Sequence, residues 1–277
     1  MEKQPNIIRR HPVLAFYILA FAISWLGWIP AALYERGLFP FTTFLFNLIG
    51  GVGPTLAAVI VILICREANG VRNLFGALFK LRASAGWFVI TFGFWVVVAT
   101  LALLGVRFIS GKELPAAGQL AWGNLPLIFV TMLFSNVWEE IGWRGFALPR
   151  LQERHSDLAI AFIMGILWEI WHLPLALNPA SPMSGVPWYG SVLFSISLTV
   201  IYTWLYGNTS RSLFFVTIFH AMSNTAAFVI LELGAYTSSY LYVVGITVIA
   251  ATAIILIYGP QRFSRKQTEE TIGNTTS

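Results

Sequence analysis

Charged side chains are scarce. Asp, Glu, Lys and Arg make up 10% of 277 residues, against about 25% in a soluble globular domain. A folded monomer of that length cannot cover its surface with so little charge. This excludes an ordinary soluble protein, a disordered chain and a coiled coil. Cysteine is nearly absent: Cys65 stands alone, so no intrachain disulfide can form and cysteine usage says nothing of the redox compartment. There is also no H-E-x-x-H zinc-protease motif and no G-x-S-x-G nucleophile elbow.

What is abundant is apolar: 57% of the residues are hydrophobic and 15% aromatic. They gather into runs at 12–34, 41–65, 86–109, 123–148, 158–177, 188–207, 212–233 and 239–259, each close to the roughly 20 residues that cross a bilayer. The expectation is an all-α, polytopic integral membrane bundle of about eight transmembrane helices. It forms one membrane domain over 1–277 and ends in a polar, flexible tail at 261–277. The first run follows Lys3, Arg9 and Arg10, is too long for a signal-peptide core and shows no cleavage pattern, so it reads as a retained helix.

The net charge of +5 does not point to nucleic acid, because the basic residues sit in short gaps between apolar runs, where they meet anionic lipid headgroups. With the N-terminus in the cytoplasm, the inner segments hold Lys3, Arg9, Arg10, Arg66, Arg72, Lys80, Arg82, Arg144, Arg150, Arg154, Arg211, Arg262, Arg265 and Lys266. The outer ones hold Arg36, Arg107 and Lys112. That is 14 of the 17 basic residues against 3, or 13 if Arg144 lies within the membrane. The bias puts both termini in the cytoplasm.

Ionisable groups at membrane depth cost about 2.5–3.5 kcal/mol each on insertion scales and mark functional sites by default. This chain places Glu139, Glu140, Arg144, Glu169, His172 and His220 there, with the polar Asn224. Glu140 and Arg144 are four residues apart, a spacing that permits an ion pair. Glu139 is turned about 100° from Glu140 and faces a different partner. His220 and Asn224 share a helix face. Glu169 and His172 are three apart, so the carboxylate could orient or charge the imidazole.

The set suits amide hydrolysis: Glu139 takes a proton from a water that His172 holds, while His220 and Asn224 donate to the developing oxyanion. The two histidines and a glutamate could also form a His₂Glu zinc site, with Glu139, His172 and His220 as its ligands. No cofactor is favoured. Gly50, Gly51 and Gly53, inside an apolar span, read as a close-packing face or a helix break.

The segment Glu139-Glu140-Ile141-Gly142-Trp143-Arg144 resembles the E-E-x-x-x-R motif of the CPBP intramembrane proteases. That family includes the type II CAAX prenyl proteases (Ras-converting-enzyme-like) and bacterial Abi-type proteins. Trp168 to His172 resembles its F-x-x-x-H motif, with Trp168 in the Phe position, and His220 to Asn224 its H-x-x-x-N motif. All three fall within 125–230.

The resemblance implies an intramembrane endopeptidase opening toward the cytoplasm, with Glu139 and His172 activating water and His220 and Asn224 forming the oxyanion site. Glu140, Arg144 and Glu169 are supporting residues. The family is often called metalloprotease, while glutamate-activated water without metal is also proposed for it; the second is favoured here. The implied partners are the lipid bilayer and a peptide or protein substrate with a C-terminal prenyl group, and the implied setting is a bacterial cell membrane. Two other functions fit buried Glu and His groups: a proton-coupled transporter, and a non-catalytic scaffold such as a bacteriocin-immunity protein. Taken singly, His172 has a plainer role, bonding a backbone carbonyl freed by Pro174.

Overall fold

The computed structural model describes residues 7–114 and 121–264. Lys3, Arg265, Lys266 and the tail from residue 265 onward lie outside the described residues. Eight principal helices follow one another: α1 (Pro12–Glu35), α2 (Phe44–Cys65), α3 (Ala85–Phe108), α4 (Leu125–Glu140), α5 (Asp157–Trp171), α6 (Trp188–Asn208), α7 (Leu213–Glu232) and α8 (Tyr236–Tyr258). Among the described residues there is no strand. The chain is an integral membrane protein of the helical, polytopic kind.

Six of the eight, all but α4 and α5, are long and apolar enough to cross a membrane by themselves. The other two carry Glu139, Glu140 and Glu169. Helix α4 gains length by running into a π-helical stretch, Ile141–Ala147, and a further α-turn, Leu148–Gln152. Helix α5 has 15 residues, so it rises about 22 Å in a hydrocarbon core of about 30 Å. It stops inside the bundle because Pro174 lacks the N–H that would continue it. The amide of His172 is shared between the carbonyls of Trp168 and Glu169, at 3.2 and 3.1 Å. The carbonyl of Trp171 accepts from Trp25 Nε1 at 3.0 Å.

The chain crosses back and forth between two faces. Arg9 Nε donates to the Ile64 carbonyl (2.9 Å) and Arg262 Nη2 to that of Gln152 (2.6 Å), both on the arginine-rich face. At the far face Arg36 Nη2 reaches the Leu177 carbonyl (2.6 Å) and Lys112 Nζ reaches Ser238 Oγ (2.8 Å). The start of the polar tail is not loose. Phe263 is fully buried and its amide donates to Asp157 Oδ2 at 2.7 Å, which ties the end of α8 to the start of α5.

Small residues bring the helices together where the site is built. A Cβ on Gly53 of α2 would lie 2.0 Å from Ser24 Oγ on α1. One on Gly142 would lie 2.5 Å from Pro54 Cβ. Neither position has room for alanine, so the glycine run acts through close packing, without a helix break in α2. Thr55 Oγ1 donates to the Trp138 carbonyl and fixes α2 against α4 next to Glu139. Large apolar side chains such as Leu14, Ile18, Leu63, Val89 and Leu256 remain exposed around the bundle. In a membrane they face lipid, and Trp122 and Trp188, half exposed near helix ends, suit the interface.

Candidate functional site

The π-helical stretch begins directly after Glu140 and carries Arg144. Such widened turns are frequent at functional sites. Here it keeps Arg144 beneath Glu140: Nη1 donates to Glu140 Oε1 at 3.0 Å, and the two side chains are 1% and 0% exposed. The guanidinium also lies over the Trp168 ring at 4.7 Å and the Tyr202 ring at 4.4 Å. The charge is thus held by a carboxylate and two aromatic faces. The expected ion pair forms, and it is completely internal.

The same Glu140 oxygen meets His220 Nδ1 at 2.8 Å. With Glu140 ionised, Nδ1 carries the proton and the ring's orientation is fixed. Glu140 thereby acquires a role the spacing alone did not suggest, as the anchor of a histidine on α7.

Glu139 faces elsewhere, as the 100° rotation requires. Its Oε2 accepts from Trp168 Nε1 at 3.1 Å. The replacement of Phe by Trp in the second motif is therefore more than aromatic for aromatic, because it adds an N–H donor to the acidic residue. On α7, Asn224 Nδ2 donates to Asn136 Oδ1 of α4 at 3.1 Å, and Ser223 Oγ lies 3.4 Å from Asn224 Oδ1. Asn136 is a positioning residue for Asn224. Its signal was a lone amide one turn before Glu139 in an apolar helix.

Glu139, Asn136, Trp168, Glu169, His172, His220 and Asn224 all line one cavity of about 390 Å³. The sequence-derived residues of three helices do converge, except Glu140 and Arg144, which lie behind the wall. One expected pairing does not form. Glu169 Oε2 accepts from Ser195 Oγ at 3.0 Å, and His172 Nδ1 is buried without a hydrogen-bond partner. Helix α5 ends at Trp171, so the i,i+3 register that would aim Glu169 at His172 does not continue through that residue. The His172 ring instead sits among Trp171, Trp168 and Trp28, at centroid distances of 4.7, 5.6 and 6.2 Å.

Among the described residues, no three His, Cys, Asp or Glu side chains form a metal-ligating group. His220 Nδ1 bonds Glu140 and Glu139 Oε2 accepts from Trp168, bonds that leave His220 Nε2 and Glu139 Oε1 unengaged. What keeps Glu139, His172 and His220 from forming a His₂Glu centre as they stand is that the three are not gathered as one ligand group.

The cavity is lined by the start of α2, the second half of α4, the end of α5, the first half of α6, the middle of α7 and the start of α8, with Met183 and Val186 of the α5–α6 connection. Of its lining residues, Asn47 and Ser135 are exposed, between α2 and α4.

Residues 121–226 match the family of type II CAAX prenyl endopeptidases, Rce1-like. A relative from Methanococcus maripaludis, named CAAX prenyl protease 2, is 26% identical over 264 residues, covering 91% of this chain and 95% of its own length. The resemblance carried by the three motifs thus extends to most of the sequence.

Proposed function

We propose, from the likeness of this chain to the Rce1-like CAAX prenyl endopeptidases, that it is an intramembrane endopeptidase acting on a peptide near its C-terminus, with a prenylated peptide as the substrate to test. The observation that carries the reading is the convergence of Glu139, His172, His220 and Asn224 on one cavity within an apolar bundle. Glu139 takes a proton from a water held by His172, and that water attacks the scissile carbonyl. His220, oriented by Glu140, and the free N–H of the Asn224 amide stabilise the oxyanion. Asn136 holds the other N–H of that amide. No step runs through a metal.

Trp168 sets the carboxylate of Glu139. A hydrogen bond to a charged group is worth about 1.5–3 kcal/mol. Trp168→Phe removes that bond and keeps an aromatic ring. The expected result is a fall in kcat of roughly ten- to a hundredfold, with KM little changed. A kcat within twofold of wild type, in protein with normal thermal stability, would remove Trp168 from this role.

We take the basic residues to put the termini in the cytoplasm. Arg144 is internal, so the count is 13 against 3. A Cys65→Ala protein with one cysteine introduced at Ser184, an exposed position in the α5–α6 connection, tests this in intact cells. The expected result is labelling by a membrane-impermeant maleimide without permeabilisation. Labelling only after permeabilisation would invert the chain.

A further inference from the structure

The proposed chemistry leaves one carboxylate unused. Glu169 is 2% exposed, yet its side chain lines the cavity. Ser195 Oγ bonds Oε2 at 3.0 Å, while Oε1 has no hydrogen-bond partner. Beside it on the same wall, Ser191 Oγ and Tyr240 Oη lie 2.8 Å apart, and Tyr236 follows on α8. Among the described residues, no Lys or Arg lines this cavity. A buried carboxylate is costly unless a cation or donor compensates it. This one could have been replaced by an apolar residue without touching the ion pair behind the wall, since Arg144 is already taken by Glu140.

We infer that Glu169, with Ser195 and the Ser191–Tyr240 pair, is a substrate subsite that takes a cationic side chain of the peptide. The inference rests on the endopeptidase reading for its substrate. The geometry gives the subsite its place: Glu169 is the residue after Trp168, whose indole holds Glu139, and it comes three residues before His172. A peptide lying across the water-activating pair passes the α5–α6–α8 wall within a few residues of its scissile bond. A lysine there meets Oε1, and its ammonium supplies the missing partner. A glutamate at the same position meets a like charge at low dielectric and is rejected.

The test uses the full chain purified in detergent and farnesylated hexapeptides carrying lysine, norleucine or glutamate at each position flanking the scissile bond. Cleavage is followed as kcat/KM. Binding of fluorescent versions is measured on Glu139→Gln protein, with and without Glu169→Gln. At one position lysine is expected to exceed norleucine by about tenfold, a coupling of about 1.4 kcal/mol. Glutamate should fall below norleucine, and Glu169→Gln should collapse both ratios toward one.

Equal values for lysine and norleucine at every position overturn the subsite, and this arm needs only the wild-type protein. A lysine preference that persists in Glu169→Gln overturns the assignment to Glu169. Discrimination in binding with no cleavage of any peptide would support the subsite and count against the endopeptidase. Cleavage without discrimination would do the reverse.

Discussion

Replacing Glu139 with glutamine is expected to reduce peptide cleavage by about 10²–10⁴, the contribution of a general base in the transition state. The side chain keeps its size and can still accept from Trp168 Nε1, so the cavity should retain its shape. What is lost is the ability to take a proton from water. The effect should fall on kcat, with peptide affinity preserved, because Glu139 acts on the attacking water and the peptide binds along the whole cavity. The measurement is a pair of curves, single-turnover rate and equilibrium binding, for the two proteins. A variant that retained a tenth of the wild-type rate would remove Glu139 as the base.

The second large effect concerns folding. In Arg144→Leu, Glu140 keeps only His220 as a partner, in a place with no access to water. Breaking one partner of a buried ion pair costs about 3–5 kcal/mol. The lost cation also leaves the faces of Trp168 and Tyr202. The variant is expected to unfold at a markedly lower temperature in detergent. The double variant Glu140→Gln, Arg144→Leu should recover much of that loss, since it removes both charges together. It should remain inactive, because His220 then lacks the carboxylate that orients its ring. A single variant as stable as wild type would mean that the pair is not the internal brace described here. A double variant with full activity would mean that Glu140 does not prepare His220.

The helices were legible because each answers to a local rule. Six of the eight apolar runs match their helices to within a few residues, whereas the fourth, to 148, runs on through the π-helical stretch after α4 and the fifth, to 177, passes the end of α5 at Trp171. The 100° offset between Glu139 and Glu140 correctly sends them to different partners. The three motifs lie on three helices, and those helices do converge. The failures have equally physical causes. Glu169 and His172 look paired only if α5 continues, and Pro174 ends it one turn later with His172 at the break. Trp168 as a donor to Glu139 depends on the angle at which α5 meets α4, which no spacing within one helix contains. The link from Asn136 to Asn224 is likewise a contact between helices.

The tail at 261–264 looked free because its sequence is polar, yet Phe263 is the residue that anchors it.

The most direct measurement is cleavage of a quenched farnesylated CAAX peptide by purified wild-type and Glu139→Gln proteins, with the products identified by mass. The account predicts one internal peptide bond cut by the wild type, with the same products reduced at least about a hundredfold in the variant. An intact peptide with the wild type, or equal cleavage by both proteins, would contradict it.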